Sequence, residues 1–404
     1  MQVREMTTKA NLNNGGTGAG RLLSLVLNGT ARSRTELAQA MGLSRATISQ
    51  RLDPLLQIGL LQEAEKPIPS GGRLARAVEL NPAFAMILVA DIGESHARVA
   101  ATDLGTKILA EDSGAFDMKS GPKAVLTWLC DRFDLLLSQI GRPIEDVLGI
   151  GLSLPAPVDY IAGRIVGPSI MIGWDGFDIR GFLAKRFAIP VVADNDVNIM
   201  TLAEHRRHWP KIDQMFFVKA GTGIGSGIIT SGKIYRGAQG AAGDIGHICL
   251  GGHGDPLCRC GNIGCVESIA GGWAIARDLR AQGFEANDGR DVLSLVQRNV
   301  PEAIRRVREA GRVLGEVIAD SVSILNPSVV VVGGSLARAE EYLLTGVREL
   351  VYQRSLPLAT RELVITTSSL DERAGVLGAA QLVLDTHFLP EVIEGTVANI
   401  LASR

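Results

Sequence analysis

Apolar residues first recur at helical spacing after Arg21, and a polar break at Asn28-Gly29-Thr30 ends this first predicted helix. Its inward face carries four apolar residues: Leu22, Leu23, Val26 and Leu27. The preceding segment 1–20 is polar, rich in Asn, Gly and Thr, and has no apolar period. It is therefore predicted to be a flexible arm.

Two further short helices follow the first one. The second begins near Ser33 and stops at Gly42, and Ser44 caps the third. Ile48 and Leu52 of the third helix face inward, so its polar residues remain outside. A helix, a short glycine-containing turn and a helix with a polar outer face is the arrangement that places the second of these helices in a DNA major groove.

Pro54 is expected to kink the third helix or to end it early. The alternating stretch 62–80, with Ser70-Gly71-Gly72-Arg73 inside it, predicts a two-stranded wing whose tip brings Arg73 to a minor groove. Residues 21–81 are thus predicted to form a winged helix-turn-helix, although an ordinary packing module of three helices is the alternative. The predicted DNA surface has five side chains: Arg45, Thr47, Gln50, Arg51 and Arg73.

Beyond Asn81-Pro82 short apolar strands alternate with helices, which is typical of the α/β class. Two segments, 85–101 and 214–230, repeat a strand, a glycine turn and a second strand. This duplication predicts two lobes around a cleft, 82–195 with a C-terminal helix at 374–388, and 196–373. Helices are predicted at 121–140, 178–188, 196–208, 301–325 and 374–387, and a buried strand at 329–332.

Length and composition fit this division, because 404 residues that are 46% hydrophobic suffice for two or three domains with separate cores. A membrane span and a signal peptide are not expected, since neither a long uncharged apolar run nor a basic-then-apolar leader is present; the chain is predicted to be cytoplasmic. Residues 1–80 carry 10 Lys and Arg against 6 Asp and Glu, and the remainder is acidic. Such a basic segment points to nucleic acid only weakly, because solvated basic surfaces are common.

Three of the five cysteines fall within eight residues, which suits a metal site in a reducing compartment better than disulfides. His247 with Cys258, Cys260 and Cys265 supplies four soft or borderline ligands. A closed set of this kind predicts a structural zinc ion, because catalytic zinc keeps an open position for water. His253 is a competing ligand.

These motifs resemble the ROK family of bacterial repressors, uncharacterised reading frames and sugar kinases. The resemblance covers residues 21–388 and rests on the glycine segment 221–227, the segment 243–247 and the cysteine loop that ends at Glu267. It implies the two-lobed ribonuclease H-like (actin-like) ATPase fold. The N-terminal winged helix is similar to that of the family's xylose, glucose and N-acetylglucosamine repressors, and the stand-alone kinases lack it.

In the family's kinases the sugar lies between the lobes, and the resemblance implies that five residues hold it here: Asn195, Asp196, Asp244, His247 and Glu267. Amides and carboxylates suit this task, because sugar hydroxyls both donate and accept hydrogen bonds. Asp244 stands where the family usually has glutamate, so the sugar preference is expected to differ. His247 is expected to bind zinc through one ring nitrogen and to face the sugar with the other.

The first phosphate turn departs from the kinase pattern, because Glu94 and Ser95 follow Asp91-Ile92-Gly93 where the kinases resemble Asp-x-Gly-Gly-Thr. A carboxylate near the phosphate would cost about 1 to 4 kcal/mol at moderate dielectric and a separation of about 4 Å. No catalytic residue is therefore expected, although the second glycine turn is intact.

The resulting prediction is a sugar-responsive, kinase-inactive repressor that binds a palindromic operator as a homodimer or homotetramer, with a carbohydrate effector and structural Zn²⁺ and without a membrane partner. A bifunctional ATP-dependent sugar kinase that also binds DNA is the main alternative. A zinc hydrolase is disfavoured by the closed ligand set.

Overall fold

The chain forms two compact units in the computed structural model. One unit combines the described residues up to Ala85 with those from Leu384 onward, and the other is Met86–Val383. None of the helices in the described part of the chain is both long and apolar enough to cross a lipid bilayer. The structure describes residues 18–64, 68–70, 73–94, 96–167, 171, 173–388 and 392–403.

The smaller unit begins with three helices whose ends are fixed by local caps. Ser33 Oγ accepts a hydrogen bond from the Glu36 N–H, and the Glu36 carboxylate accepts one from the Ser33 N–H. The second helix stops at Gly42, where φ is 67°, and Ser44 caps the third. The helices are α1 (Ala19–Leu27), α2 (Arg34–Met41) and α3 (Arg45–Gln57). The predicted arm lies outside the described residues up to position 17, and α1 begins inside its predicted end.

Of the two effects expected of Pro54, a kink or an early end of α3, the early end is wrong, because the helix continues through Pro54 to Gln57. Proline removes one N–H donor and crowds the preceding turn. Here it lies in the last turn, so few helical residues follow it, and its own carbonyl still accepts a hydrogen bond from the Ile58 N–H at 3.1 Å.

A hairpin in two paired parts follows α3. The outer pair is β1 (Leu61–Glu63) with β4 (Val78–Leu80), and the inner pair is β2 (Ile68–Ser70) with β3 (Arg73–Ala75). Both pairs are antiparallel, and Ser70 opposes Arg73. Ser70 and Arg73 are therefore the described residues nearest the end of the hairpin, and the glycine pair predicted at its tip lies outside the described residues.

The last helix of the chain, α14 (Ile393–Ser403), also belongs to the smaller unit. Its Ile393 and Val397 are buried in one core with Leu22 and Leu23 of α1. The Glu394 carboxylate accepts a hydrogen bond from the Gly20 N–H at 3.0 Å. The sequence analysis predicted no element here, because the resemblance stopped at residue 388.

The larger unit contains two five-stranded sheets, and it confirms the predicted α/β class. The first sheet has the order β7-β6-β5-β8-β11, with a short hairpin of β9 and β10 beside it. Its strands are β5 (Met86–Ile92), β6 (His96–Asp103), β7 (Ile108–Ala115), β8 (Val147–Leu154), β9 (Val158–Asp159), β10 (Arg164–Ile165) and β11 (Val191–Asn195). Its helices are α4 (Pro122–Ile140) and α5 (Ile179–Phe187).

The second sheet has the order β14-β13-β12-β15-β16. Its strands are β12 (Met215–Ala220), β13 (Ile224–Thr230), β14 (Lys233–Ile234), β15 (Val329–Gly333) and β16 (Val364–Thr367). The remaining helices are α6 (Asp196–His208), α7 (Val266–Ala270), α8 (Gly272–Ala281), α9 (Gly289–Gln297), α10 (Pro301–Leu325), α11 (Glu341–Arg354), α12 (Pro357–Thr360) and α13 (Ala374–His387).

Both sheets share one topology, since in each the first three strands are antiparallel and the last two add in parallel beside the first. The two halves of this unit are thus structural duplicates, as the repeated glycine-turn hairpins predicted. Each sheet has its own core of buried apolar residues, which fixes the sheet edges where the site lies.

Helix α6 links the two sheets, because it begins directly after β11 and packs on β13. Two glycines on β13 make the close approach possible. A Cβ on Gly225 would lie 2.9 Å from Val197 Cγ2, and one on Gly227 would lie 2.0 Å from Thr201 Oγ1. The start of α6 is therefore held beside the second glycine turn.

Candidate functional site

Asn195 and Asp196 lie at the junction of β11 and α6. Asn195 caps the helix, since its Oδ1 accepts a hydrogen bond from the Val197 N–H at 3.0 Å and its Nδ2 donates to Ala156 O at 3.1 Å. Asp196 is the first residue of the helix and is buried; the Lys219 ammonium donates a hydrogen bond to its Oδ2. Both side chains are thus held in fixed positions at this sheet edge.

Lys219 lies on β12 among several carboxylates. Ser153 Oγ donates a hydrogen bond to Asp91 Oδ1 at 2.5 Å, and burial together with the negative charge of Asp196 raises the pKa of Asp91 despite that bond. Burial alone would lower the pKa of Lys219, but the charges of Asp196, Asp91 and Glu94 raise it instead. Lys219 therefore remains a cation at neutral pH and neutralises Asp196.

Glu267 lies against the second glycine turn. Its carboxylate accepts hydrogen bonds from the Ile224 N–H at 3.0 Å and from Trp273 Nε1–H at 3.2 Å. A Cβ on Gly223 would lie 2.5 Å from Glu267 Oε2, so only glycine allows this approach. Glu267, a predicted sugar ligand, is therefore in direct contact with the second glycine turn.

Asp244 and His247 lie on the loop between β14 and α7, and both are exposed. The loop is fixed to β13, because the Gly243 carbonyl accepts hydrogen bonds from the N–H and the Oγ–H of Ser226 at 2.9 and 2.6 Å. Gly246 packs against the backbone of Ile224, since a Cβ at this position would lie 2.2 Å from the Ile224 carbonyl oxygen. The five predicted sugar residues therefore lie on segments that all pack around the amino end of β13.

The predicted metal ligands do come together. One donor atom from each of His247, Cys258, Cys260 and Cys265 lies within 4.8 Å of all the others. Cys258 Sγ is 3.7 Å from His247 Nδ1, and Cys260 Sγ is 3.7 Å from Cys265 Sγ. Tetrahedral zinc with Zn–S bonds of about 2.3 Å separates its donor atoms by roughly 3.5 to 3.8 Å, so this donor set fits such an ion.

His253, the competing ligand, lies outside this cluster. Its Nε2 is 3.0 Å from Glu316 Oε1 on α10, and it takes no part in the four-donor group. His247 Nδ1 is the ring nitrogen that lies next to the Cys258 thiol.

The first glycine turn and the cysteine loop meet through an ion pair that sequence reasoning missed. Glu94 Oε1 lies 3.3 Å from Arg259 Nη1, and the Arg259 guanidinium lies 4.9 Å from the ring centre of Trp273. Arg259 lies between Cys258 and Cys260, two of the predicted metal ligands, and nothing in the local sequence indicates a role for it. Ser95, also predicted to disturb this turn, lies outside the described residues.

A second charged group was missed beside Asn195. Asp194 is buried and accepts hydrogen bonds from Arg236 Nε at 2.8 Å and from Asn198 Nδ2 at 3.0 Å. The Arg236 guanidinium lies 3.8 Å from the ring centre of Tyr160. Asn198 is four residues from Asp194, but Arg236 and Tyr160 are distant in sequence, so no local pattern could have indicated their pairing.

The predicted DNA-contacting residues differ in exposure. Arg45 and Gln50 of α3 are exposed, whereas Thr47 is half-buried with its Oγ1 only 2.9 Å from the Ser44 hydroxyl that caps the helix. Thr47 thus contacts the residue that caps the start of α3.

Arg51 is half-buried, and a Cβ on Gly18 would lie 2.1 Å from its Nη1, so its guanidinium lies against the start of α1. Arg73 lies beside the hairpin tip on β3. The structure therefore leaves Arg45 and Gln50 as the most accessible of the α3 residues in the predicted set.

Comparison with known proteins assigns this chain to a family. The model of the ROK family matches residues 87–386. This chain belongs to the ROK family. The match begins after β4, so the helices and the hairpin of the smaller unit precede the ROK region.

Relatives in the ROK family include repressors and kinases. The chain is 27% identical over 386 residues to the xylose repressor of Caldicellulosiruptor bescii, covering 92% of this chain and 96% of the repressor. It is 28% identical over 309 residues to the glucokinase of Halalkalibacterium halodurans, covering 72% of this chain and 93% of the glucokinase. A solved ROK family transcriptional regulator, described as a homologue of the Escherichia coli MLC protein, has a TM-score of 0.78 and 22% identity, covering 96% of this chain and 99% of that one.

Proposed function

We propose that this ROK protein is a sugar-responsive transcriptional repressor, that its smaller unit binds operator DNA, and that its ROK region binds a carbohydrate without phosphorylating it. The observation that carries the proposal is the joining of a helical unit with a polar-faced α3 to a ROK fold, together with similarity to a xylose repressor along 92% of this chain. In this proposal residues 21–81 are the DNA-binding domain.

The DNA-binding assignment is supported by the geometry of α2 and α3. Capped ends and the αL glycine at position 42 fix a short turn between the two helices, and α3 buries Ile48 and Leu52 while exposing Arg45 and Gln50. The paired hairpin that follows serves as the wing, and its tip carries Arg73. We propose that α3 enters the major groove and that Arg73 reaches the adjacent minor groove.

The sugar site is proposed between the two lobes, 82–195 with 374–388 and 196–373. Carboxylates of Asp196, Asp244 and Glu267, the Asn195 amide and His247 Nε2 offer the fixed acceptors and donors that a sugar needs. Sugar binding would change the spacing of the paired DNA-binding heads of a homodimer or homotetramer, and so release a palindromic operator.

Absence of kinase activity is supported by two contacts. Glu94 places a carboxylate in the first phosphate turn, where it forms an exposed ion pair with Arg259 at 3.3 Å. The Lys219 ammonium is bonded to Asp196, the residue that would accept the proton of the sugar hydroxyl in a kinase. A carboxylate whose charge is already paired is a poor general base, so both nucleotide binding and proton transfer are disfavoured.

Zinc is the metal we propose for the four-donor cluster, because three thiolates and one imidazole with no open position form a structural site. When bound, the ion would cross-link the loop that carries Asp244, His247 and Arg259. The proposed sugar ligands are thereby kept in place from both ends of the loop.

The DNA surface yields the first prediction. Arg45→Ala should weaken operator binding by about 1 to 3 kcal/mol, or roughly five- to 150-fold, because it removes an exposed cation from the face of α3. Fluorescence anisotropy with an operator selected from random DNA measures the change. The control Arg361→Ala removes another exposed cation, from the ROK region, and should leave the affinity unchanged. Equal affinity for all three proteins would contradict the assignment.

Kinase inactivity yields the second prediction. No sugar in a panel of pentoses and hexoses should cause ADP release from ATP, since Glu94 and Lys219 oppose nucleotide binding and proton transfer. A coupled ADP assay, with a ROK glucokinase as the positive control, measures this. Sugar-dependent turnover of about 1 per second or faster would favour the bifunctional kinase instead.

The effector is identified by a thermal-shift screen of the same panel, beginning with xylose. A sugar that binds only the folded protein at a hundredfold excess over its Kd raises stability by about 2.7 kcal/mol. Operator titration with and without that sugar then tests the proposed function directly.

A further inference from the structure

One thiol in the metal loop has no role in the proposed metal site. Cys249 is exposed and lies outside the four-donor cluster. Its thiol donates a hydrogen bond to the Ile263 carbonyl with a sulfur–oxygen distance of 3.3 Å. A Cβ on Gly264 would lie 3.2 Å from this sulfur, so Cys249 Sγ rests directly on the segment that leads into Cys265.

Backbone hydrogen bonds place Cys249 opposite Cys265. The two residues form an antiparallel bridge, with the Leu250 N–H donating to Gly264 O and the Val266 N–H donating to Ile248 O, each at 2.9 Å. Because the bonds flank the pair and do not join it, this is a non-hydrogen-bonded pair. Such pairs have Cα atoms about 4.5 Å apart and side chains on one face.

This spacing is compatible with a disulfide, since bridged cysteines have Cα atoms roughly 4.4 to 6.8 Å apart. To form it, Cys249 Sγ would have to leave the Ile263 carbonyl, and Cys265 Sγ would have to leave the cluster, where it lies 3.7 Å from Cys260 Sγ. The other non-ligand cysteine, Cys130, is buried in the core of the first lobe. Cys249 is therefore an accessible thiol outside the proposed metal site, and it faces one of the proposed metal ligands.

We propose that Cys249 is a site of oxidation by hydrogen peroxide, and that Cys265 resolves the oxidised residue as a cross-strand disulfide. The proposal rests on the exposure of Cys249 and on its backbone pairing with Cys265. It identifies the metal loop as a place where oxidant can act on the ROK region independently of sugar.

The reaction has two balanced steps. In the first, Cys249 sulfur attacks one peroxide oxygen, so the S–O bond forms and the O–O bond breaks. The departing hydroxide takes up the thiol proton as the first water, and Cys249 becomes a sulfenic acid. In the second, Cys265 sulfur attacks Cys249 sulfur; the S–S bond forms, the S–O bond breaks, and hydroxide leaves and takes up a proton as the second water. Two sulfurs are oxidised by two electrons in total, and the peroxide is reduced to two waters.

The disulfide would remove one ligand from the four-donor cluster and so release the proposed zinc. Glu267 follows Cys265 by two residues, and its hydrogen bond to Ile224 depends on the position of this segment. Loss of the sugar response on oxidation would follow from the proposed function, whereas the disulfide itself does not depend on it.

The test uses the full chain loaded with zinc, hydrogen peroxide as the oxidant, and Cys249→Ser as the variant. Before oxidation both proteins should contain equal zinc, because Cys249 is not a ligand. After oxidation the wild type should yield a peptide that links Cys249 to Cys265, and dithiothreitol should reverse the link. Zinc release, followed with a chromogenic chelator, should be about tenfold slower in the variant.

Equal rates of zinc release in wild type and variant, or a wild type without the Cys249–Cys265 peptide, would overturn the proposal. If the purified chain holds no zinc, the metal assignment fails, and peptide mapping alone then decides about the disulfide. A link found in that protein supports the proposal, and its absence contradicts it.

Discussion

Asp196→Ala should abolish the sugar response while leaving operator affinity in the absence of sugar unchanged. The carboxylate lies at the start of α6, where Lys219 fixes its position, and its removal would leave sugar hydroxyls unpaired in a closed cleft. Each lost partner typically costs about 1 to 3 kcal/mol, and more where it was charged. Calorimetry with the identified sugar measures the loss of affinity.

Asp196→Asn is the matched variant, since it keeps the shape and some hydrogen-bonding capacity but removes the charge. It should bind sugar more weakly than the wild type and more tightly than Asp196→Ala. In both variants Asp91 and Glu94 remain near the Lys219 ammonium, so this cation still has acidic neighbours and the fold should persist. Sugar affinity within about threefold of wild type in Asp196→Ala would place the effector elsewhere.

Cys260→Ser should lose the metal and destabilise the ROK region. Removing one thiolate from a closed four-ligand site leaves three donors, and structural zinc contributes directly to folding free energy. The free energy of unfolding should fall by an amount on the order of several kcal/mol, and zinc should fall from one per chain to nearly none. Metal analysis and chemical unfolding measure the two effects.

Cys130→Ala provides the control for loss of a thiol, because Cys130 is buried in the first-lobe core and far from the loop in the fold. It should keep its zinc although a core residue has changed. Zinc retained by Cys260→Ser, or absent from the wild type, would contradict the metal assignment.

Much of the fold was predictable because local signals and tertiary packing agree. Ser33, Gly42 and Ser44 mark helix ends by their own chemistry, and the structure places α2 and α3 accordingly. The helix predicted at 301–325 is α10. The duplicated glycine turns predicted two similar lobes, and the two sheets share one strand order.

The charged pairs around the site were not predictable from local pattern. Lys219 occupies a strand position, and only the pairing of β12 with its neighbours brings it to Asp196. Glu94 was recognised as a departure from the kinase turn, but its partner Arg259 is distant in sequence. The same holds for α14, whose apolar face has meaning only against α1.

Pro54 shows the opposite failure, in which a strong local rule was applied at the wrong distance. Proline disfavours a helix interior, but α3 has only its final residues left at that point. A proline acts on the turn that precedes it, so α3 lacks the backbone hydrogen bond that residue 54 would donate, yet it continues for three residues beyond Pro54.

In the proposed function, sugar binding lowers the affinity of the protein for its operator. Titration of the wild-type protein on its selected operator, with and without the identified sugar, measures this coupling. We expect saturating sugar to weaken operator binding at least about tenfold, a coupling of roughly 1.4 kcal/mol, with no consumption of ATP. The same operator affinity with and without every sugar that stabilises the protein would contradict it.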